Sequence, residues 1–198
     1  MLTSAITPTM TRDSTDDDYF PTKGSRNSIF MTHAGTPLGG DTSYDKYGAS
    51  TAWYFALPWD MVFDVKGRIG YLQANEGKTL PVYERYYVGG INSVRGLRFV
   101  GPKDAVTGDL IGGTTMLYLN FDLVFPLVKN AGMRGVVFFD TGNAWEYGYY
   151  PGGMRKTAGF GVRWYSPMGP LRLEYGFVLD RQPGEDAGRF EFTMGMMM

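Results

Sequence analysis

The stretch Thr114-Thr115-Met116-Leu117-Tyr118-Leu119-Asn120-Phe121-Asp122-Leu123-Val124-Phe125 alternates with period two. Its odd positions Leu117, Leu119, Phe121, Leu123 and Phe125 are apolar, while Thr114, Tyr118, Asn120 and Asp122 occupy the even side. A strand sends successive side chains to opposite faces, so this segment has one oily face and one polar face. The pattern recurs on both sides of it. Met61, Phe63, Val65, Ile69 and Tyr71 oppose Asp64, Lys66 and Arg68 in 61–71. In 46–57, Tyr47, Trp53, Phe55 and Leu57 oppose Lys46, Gly48, Ser50 and Tyr54. In 157–165, Ala158, Phe160, Val162 and Trp164 oppose Thr157, Gly159, Gly161 and Arg163. In 171–179, Leu171, Leu173, Tyr175, Phe177 and Leu179 oppose Arg172, Glu174 and Gly176. A last strand over 188–198 sets Phe190, Phe192, Met194, Met196 and Met198 against Arg189, Glu191, Thr193 and Gly195. Less regular strands are expected at 2–11, 25–34 and 135–145, about nine in all.

Two architectures give every strand one apolar face. A soluble sandwich turns that face inward, and a membrane barrel turns it outward to lipid. The strands run near the roughly 9–11 residues that a tilted spanning strand needs, against about 5–6 in soluble sheets. Aromatic residues gather toward strand ends, as in an interfacial girdle. Three charges in a row on one face, Asp64, Lys66 and Arg68, require water or partner charges. The connections at 58–60 and 166–170 are tight, whereas 74–113, 146–155 and 180–188 are long and polar, the asymmetry of a barrel with short periplasmic turns and long external loops. The expected fold is an all-β antiparallel transmembrane barrel of about eight or nine strands, a single domain over 1–198 with a long loop at 74–113.

Composition narrows the chemistry. The 198 residues carry 19 Lys+Arg against 20 Asp+Glu, which argues against a nucleic-acid surface. No cysteine is present, so disulfides, thiolate metal sites and cysteine nucleophiles are excluded. The single histidine, His33, leaves no multi-histidine metal site and no ready catalytic triad. No catalytic residue, metal or cofactor is expected. Pro37-Leu38-Gly39-Gly40 lacks the spacing of a phosphate cradle, and Asp16-Asp17-Asp18 reads as a turn-capping or solvated cluster, with calcium a remote alternative.

The 74–113 loop is too long for an ordinary hairpin connection, which marks it as functional. At its centre stands Tyr87-Val88-Gly89-Gly90-Ile91-Asn92-Ser93-Val94-Arg95-Gly96-Leu97. Gly89, Gly90 and Gly96 permit tight backbone and close approach to another surface. Arg95 lies between small and apolar neighbours. In a confined space its guanidinium would need a carboxylate fork; a mobile loop with a solvated arginine fits the residues as well.

The words Pro81-Val82-Tyr83-Glu84-Arg85-Tyr86-Tyr87-Val88-Gly89-Gly90, Ser93-Val94-Arg95-Gly96-Leu97 and Gly101-Pro102 resemble the lid-loop signature of the BamA family of outer-membrane protein assembly factors. The resemblance extends through Val136-Val137-Phe138-Phe139-Asp140-Thr141-Gly142-Asn143-Ala144-Trp145, the stretch from Ala158 to Arg172, and Phe190-Glu191-Phe192-Thr193-Met194-Gly195. Upstream, Thr9-Met10-Thr11-Arg12-Asp13 and Phe20-Pro21-Thr22-Lys23-Gly24-Ser25-Arg26 fit the same family. It implies the C-terminal half of a sixteen-stranded outer-membrane barrel of a Gram-negative bacterium. It further implies a lid loop folded into the lumen, with Gly89, Gly90, Val94, Arg95, Gly96 and Leu97 as its motif. Asp122 and Asp140 are the implied wall partners of Arg95. Asp122 also lies on a polar strand face by parity alone; Asp140 is the less regular assignment. The strand with Phe190, Phe192, Met194, Gly195, Met196 and Met198 matches the family's C-terminal assembly signal.

Two positions depart from the family pattern. Leu97 stands where an aromatic residue is usual, keeping an apolar plug without ring stacking. Met196-Met197-Met198 replaces the usual terminal aromatic. The sequence also shows no secretory leader and none of the family's periplasmic domains, so the stretch reads as part of a longer protein.

The implied partners are membrane lipid, unfolded outer-membrane barrel clients and the lipoproteins of the assembly machine, with self-association through edge strands. The alternative is a small passive or engineered barrel or pore, or the barrel of a related translocation protein such as TamA. Parity adds a constraint. Nine alternating strands cannot close an all-antiparallel barrel, whereas eight can, with 2–11 displaced. An eight-stranded barrel is just filled by its own side chains, so the long loop would be expelled or several chains would pair edge to edge.

Overall fold

Pro8 decides how the chain enters its sheet. In the computed structural model, which describes residues 2–75, 77–166 and 169–195, the expected 2–11 strand is two short ones, β1 (Ala5–Ile6) and β2 (Thr9–Asp13). Both lie along β3 (Gly24–Gly35), at Ala5↔Ala34 and Met10↔Ile29. Proline has no N–H for the ladder and interrupts the strand between them, although its carbonyl still accepts from Met31 N at 3.2 Å. The other strands follow in chain order: β4 (Gly39–Leu57), β5 (Met61–Ala74), β6 (Thr115–Val128), β7 (Met133–Trp145), β8 (Arg155–Ser166), β9 (Gly169–Val178) and β10 (Gly188–Met194). Every neighbour pair is antiparallel. Ten strands therefore fill nine places in one sheet.

The sheet is open. Among the described residues the β1/β2 edge and the β10 edge have no partner strand, so the eight-strand closure weighed from parity does not occur. The long loop is neither expelled nor displaced, because an open sheet leaves room to lay it on one face. The C-terminal strand is shorter than expected: β10 stops at Met194, and Gly195 turns away at φ +83 while its N–H reaches Pro170 O at 2.9 Å. Met196 and Met198 lie outside the described residues.

The two faces differ as the alternation requires. The apolar side chains point outward and remain uncovered: Trp53 is 48% exposed, Phe160 56% and Phe192 63%. Their rings pair across strands, with centroids 6.3 Å apart for Phe121–Phe139 and 5.4 Å for Tyr175–Phe190. Leaving such a face in water forgoes about 1.5–3 kcal/mol for each large side chain, which excludes the soluble sandwich. The opposite, inner face buries Asp64, Asp122, Asp140, Arg163 and Glu174. Over it the loop residues Tyr86, Val88, Val94 and Leu97 pack against Ala34, Tyr44, Leu72, Met116 and Ala144 of the strands. Leu97, 3% exposed, serves here as an apolar plug.

Turn chemistry distinguishes the two ends of the sheet. The β4–β5 turn Pro58–Asp60 places Trp59 and Asp60 at φ 62 and 58, and the β6–β7 turn Lys129–Ala131 ends on Gly132 at φ 66. Lys129 Nζ meets Asp60 at 2.5 Å, joining these two turns. At the same end, the β2–β3 connection is closed by Asp16, which accepts from Thr22 N at 2.8 Å, Thr22 Oγ1 at 2.5 Å and Lys23 N at 3.1 Å. Asp17 accepts from Tyr19 N and Phe20 N, each at 2.8 Å. These are turn caps.

Candidate functional site: a lid loop locked to the inner face

Backbone geometry builds the lid turn. Gly90 N donates to Leu97 O at 3.0 Å, and Ser93 N to Gly90 O at 3.1 Å. Ser93 Oγ accepts from Gly89 N at 2.7 Å and donates to Gly89 O at 2.9 Å, which fixes the neck of the turn. Gly96, at φ +87, lies so close to β9 that a Cβ there would meet Gly176 O at 2.5 Å. This contact of two glycines lets the loop backbone sit directly on the sheet. Short bridges, Tyr86↔Gly113, Val88↔Val100 and Lys103↔Leu110, rigidify the rest of the loop.

The turn delivers Arg95 onto β6, β7 and β9. Asp140 accepts from Arg95 N at 2.9 Å, Nε at 2.7 Å and Nη2 at 2.5 Å. Asp122 Oδ1 accepts from Nη2 at 2.5 Å, and Glu174 Oε2 from Nη1 at 2.9 Å. The guanidinium also stacks on Phe138, with Cζ 3.7 Å from the ring centroid. Burial works against the Arg95 charge, but Asp122, Asp140 and Glu174 outweigh it and hold the group well above its ordinary pKa. Asp140, the less regular assignment by parity, is fully buried and makes more of these bonds than Asp122.

A wider network sustains the three carboxylates. Arg163 donates to Asp122 Oδ2 at 2.6 Å and to Glu174 Oε1 at 2.8 Å. Arg172 donates to Glu174 at 3.0 and 3.2 Å and to the loop carbonyl Ile91 O at 3.2 Å. Asn120 Nδ2 bridges Asp140 and Ser93 O, at 2.8 and 2.5 Å. Lys66 lies 3.4 Å from Asp64 and 3.7 Å from Asp122. Four cations, Lys66, Arg95, Arg163 and Arg172, thus meet the four carboxylates Asp64, Asp122, Asp140 and Glu174. Breaking one partner out of such a set costs about 3–5 kcal/mol.

Sequence reasoning brought forward Asp122 and Asp140 and passed over Glu174, Arg163, Arg172, Asn120 and Glu191. The signal was available, because parity had already put Arg163, Arg172, Glu174 and Glu191 on the polar face, and a guanidinium has five donors to satisfy. Glu191 of β10 accepts from Gly96 N at 3.1 Å, tying the lid turn to the edge strand. Phe190, Phe192 and Met194 of the same strand face outward and do not touch the site. His33 also lies elsewhere, at the β3–β4 hairpin, with Asp45 Oδ1 2.6 Å from its Nδ1 and Thr36 O 2.9 Å from its Nε2.

The arrangement is mechanical: a loop clamped over an open sheet and joined to one edge. The Omp85 superfamily domain matches residues 1–198. BamA of Nitratidesulfovibrio vulgaris is 38% identical over 192 residues, covering 93% of this chain and 24% of that protein. BamA of Neisseria meningitidis serogroup B is 28% identical, covering 93% and 27%. The crystal structure of BamA from Haemophilus ducreyi lacking POTRA domains 1–3 superposes with a TM-score of 0.84 at 26% identity, covering 95% of this chain and 41% of that one. The chain spans about a quarter of the length of the curated relatives it matches. With its all-β sheet, its outward apolar face and this whole-length match, the chain belongs to the Omp85 superfamily, as a segment of a bacterial outer-membrane β-barrel like that of BamA.

Proposed function

We propose that the chain is the C-terminal barrel portion of an outer-membrane protein assembly factor, acting in the insertion and folding of β-barrel clients. The observation that carries this reading is the lid: Arg95 seated on Asp122, Asp140 and Glu174, with Gly96 held by Glu191 of β10, whose outer side has no partner strand among the described residues. An edge strand offers a free row of donors and acceptors for strand addition by a client. The lid sets the position of that edge, and the buried network of Arg95, Arg163 and Arg172 with Asp122, Asp140 and Glu174 sets the position of the lid. Unfolded barrel proteins are the substrates, and lipoproteins of an assembly machine are the partners of the whole protein.

The reading requires the rest of the barrel, because the seam at which a client enters has two sides and this chain supplies one. A chimera tests it. The matching quarter of Nitratidesulfovibrio vulgaris BamA is replaced by this chain, and folding of an unfolded client barrel is followed in liposomes. The chimera should accelerate folding, and Arg95→Ala in the chimera should reduce that acceleration. A folded chimera no better than a passive barrel of equal size would refute the reading.

A further inference from the structure

The outward face is not uniformly filled. Between β2 and β6 it sinks into a groove of two adjoining hollows, about 620 and 530 Å³, which share Met10, Ile29, Ala49 and Ile69. The floor is low because Ala49 and Gly67 stand where the flanking rows carry Tyr47, Tyr71 and Phe121. Volumes of this size lie in the range of small-ligand sites, roughly 300–1,000 Å³.

One end of the groove is polar. Arg12, Asn27 and Thr51 line it, in register across β2, β3 and β4. Trp53 Nε1 donates to Thr51 Oγ1 at 2.8 Å, and Thr51 Oγ1 to Asn27 Oδ1 at 2.6 Å. Arg12 has no acidic partner among the described residues, although the adjacent Asp13 is taken by Arg26 at 2.5 Å. Arg12 is the next-to-last residue of β2, at the end of the sheet that carries the short turns, which in a membrane barrel is the periplasmic interface. An arginine on the lipid-facing surface at that depth lies at the level of headgroup phosphates, with its donors free for bidentate binding.

We infer that this groove is a binding site for a glycerophospholipid of the periplasmic leaflet. Arg12 holds the phosphate, and one acyl chain lies along Ala49, Gly67 and Ile69. The inference rests on the outward face lying in lipid and is independent of any assembly activity.

The test loads nanodiscs containing the folded chain with phosphatidylglycerol or with diacylglycerol of the same acyl chains, then counts co-released lipid by native mass spectrometry. Wild-type protein should retain phosphatidylglycerol and not diacylglycerol. Arg12→Gln should lower retention about fivefold, as expected for one cation against a lipid phosphate. Ala49→Phe, which fills the floor, should lower it with Arg12 intact. Heat-modifiable migration reports folding of each variant. Equal retention by Arg12→Gln and wild type, equal retention of diacylglycerol, or full retention by Ala49→Phe would each overturn the site.

Discussion

Asp140 receives both the main chain and the side chain of Arg95: its carboxylate accepts from Arg95 N at 2.9 Å and from Arg95 Nε at 2.7 Å. The arginine is thereby fixed at its root as well as at its tip, so the bond reports the position of the whole lid turn. Arg95→Ala leaves Asp122, Asp140 and Glu174 buried with too few donors. It should destabilise the folded chain by about 3–5 kcal/mol. Arg85→Ala, which removes only longer contacts at 3.3 and 3.5 Å to Gly112 O and Glu146, should cost much less. In urea titrations of micelle-folded protein, the double variant Arg95→Ala/Asp140→Asn should lose less than the sum of the singles. Additive losses would show that the pair is not coupled.

Gly96 and Gly90 separate two reasons for glycine. Both have positive φ, +87 and +85, but a Cβ at Gly96 meets Gly176 O at 2.5 Å whereas a Cβ at Gly90 meets nothing within 4 Å. Gly90→Ala should therefore cost only the conformational penalty, about 1–2 kcal/mol. Gly96→Ala should cost more and should lift the lid, exposing residues 89–97 to protease. Equal losses at the two positions would mean that the approach to β9 is not tight.

The strands were legible because one face of each is buried under polar partners and the other is apolar, and parity then assigns side chains without any tertiary information. Parity puts Asp122 on a polar face, and its pairing with Arg95 comes from the resemblance of the loop's motif to the family. Glu174, Arg163 and Arg172 were legible as a face but not as a cluster, since their meeting depends on the lid turn that Gly90, Ser93 and Gly96 form. The break at Pro8 was visible as a proline, yet the two short strands around it exist only because β3 is long enough to pair both. The openness of the sheet was only partly legible: parity forbids closure of nine antiparallel places but permits eight with 2–11 displaced, and the pairing of β1 and β2 with β3 decides for nine.

Asp16 carries a pH dependence for the β2–β3 connection. Its carboxylate is held down to about 2, first by the Thr22 hydroxyl, against the opposing effect of burial, and further by the N–H groups of Thr22 and Lys23. A depressed folded pKa gives stabilisation that is present above the ordinary value near 4 and is lost as pH falls through about 2. Amide exchange in 16–23 should rise over that window, and Asp16→Asn should flatten the rise. An unchanged profile in Asp16→Asn would assign the transition to another group.

Glu191 is the most economical probe of whether lid and edge move together. Its Oε1 accepts from Gly96 N at 3.1 Å, while its buried Oε2 has no hydrogen-bond partner among the described residues. Glutamine keeps the accepting oxygen and replaces the orphaned one by an amide, whereas alanine removes the acceptor and leaves the Gly96 donor buried without one. The cost of an unsatisfied buried donor is about 1–3 kcal/mol, enough to shift a local opening equilibrium by an order of magnitude. Because β10 is bonded among the described residues on one side only, through β9, it has little else to hold it against that shift. Hydrogen exchange should therefore quicken in Glu191→Ala both at 89–97 and along 188–194, with Glu191→Gln close to wild type. Faster exchange in 188–194 with 89–97 unchanged would show that the edge strand frays without informing the lid, and the mechanical coupling between them would fall.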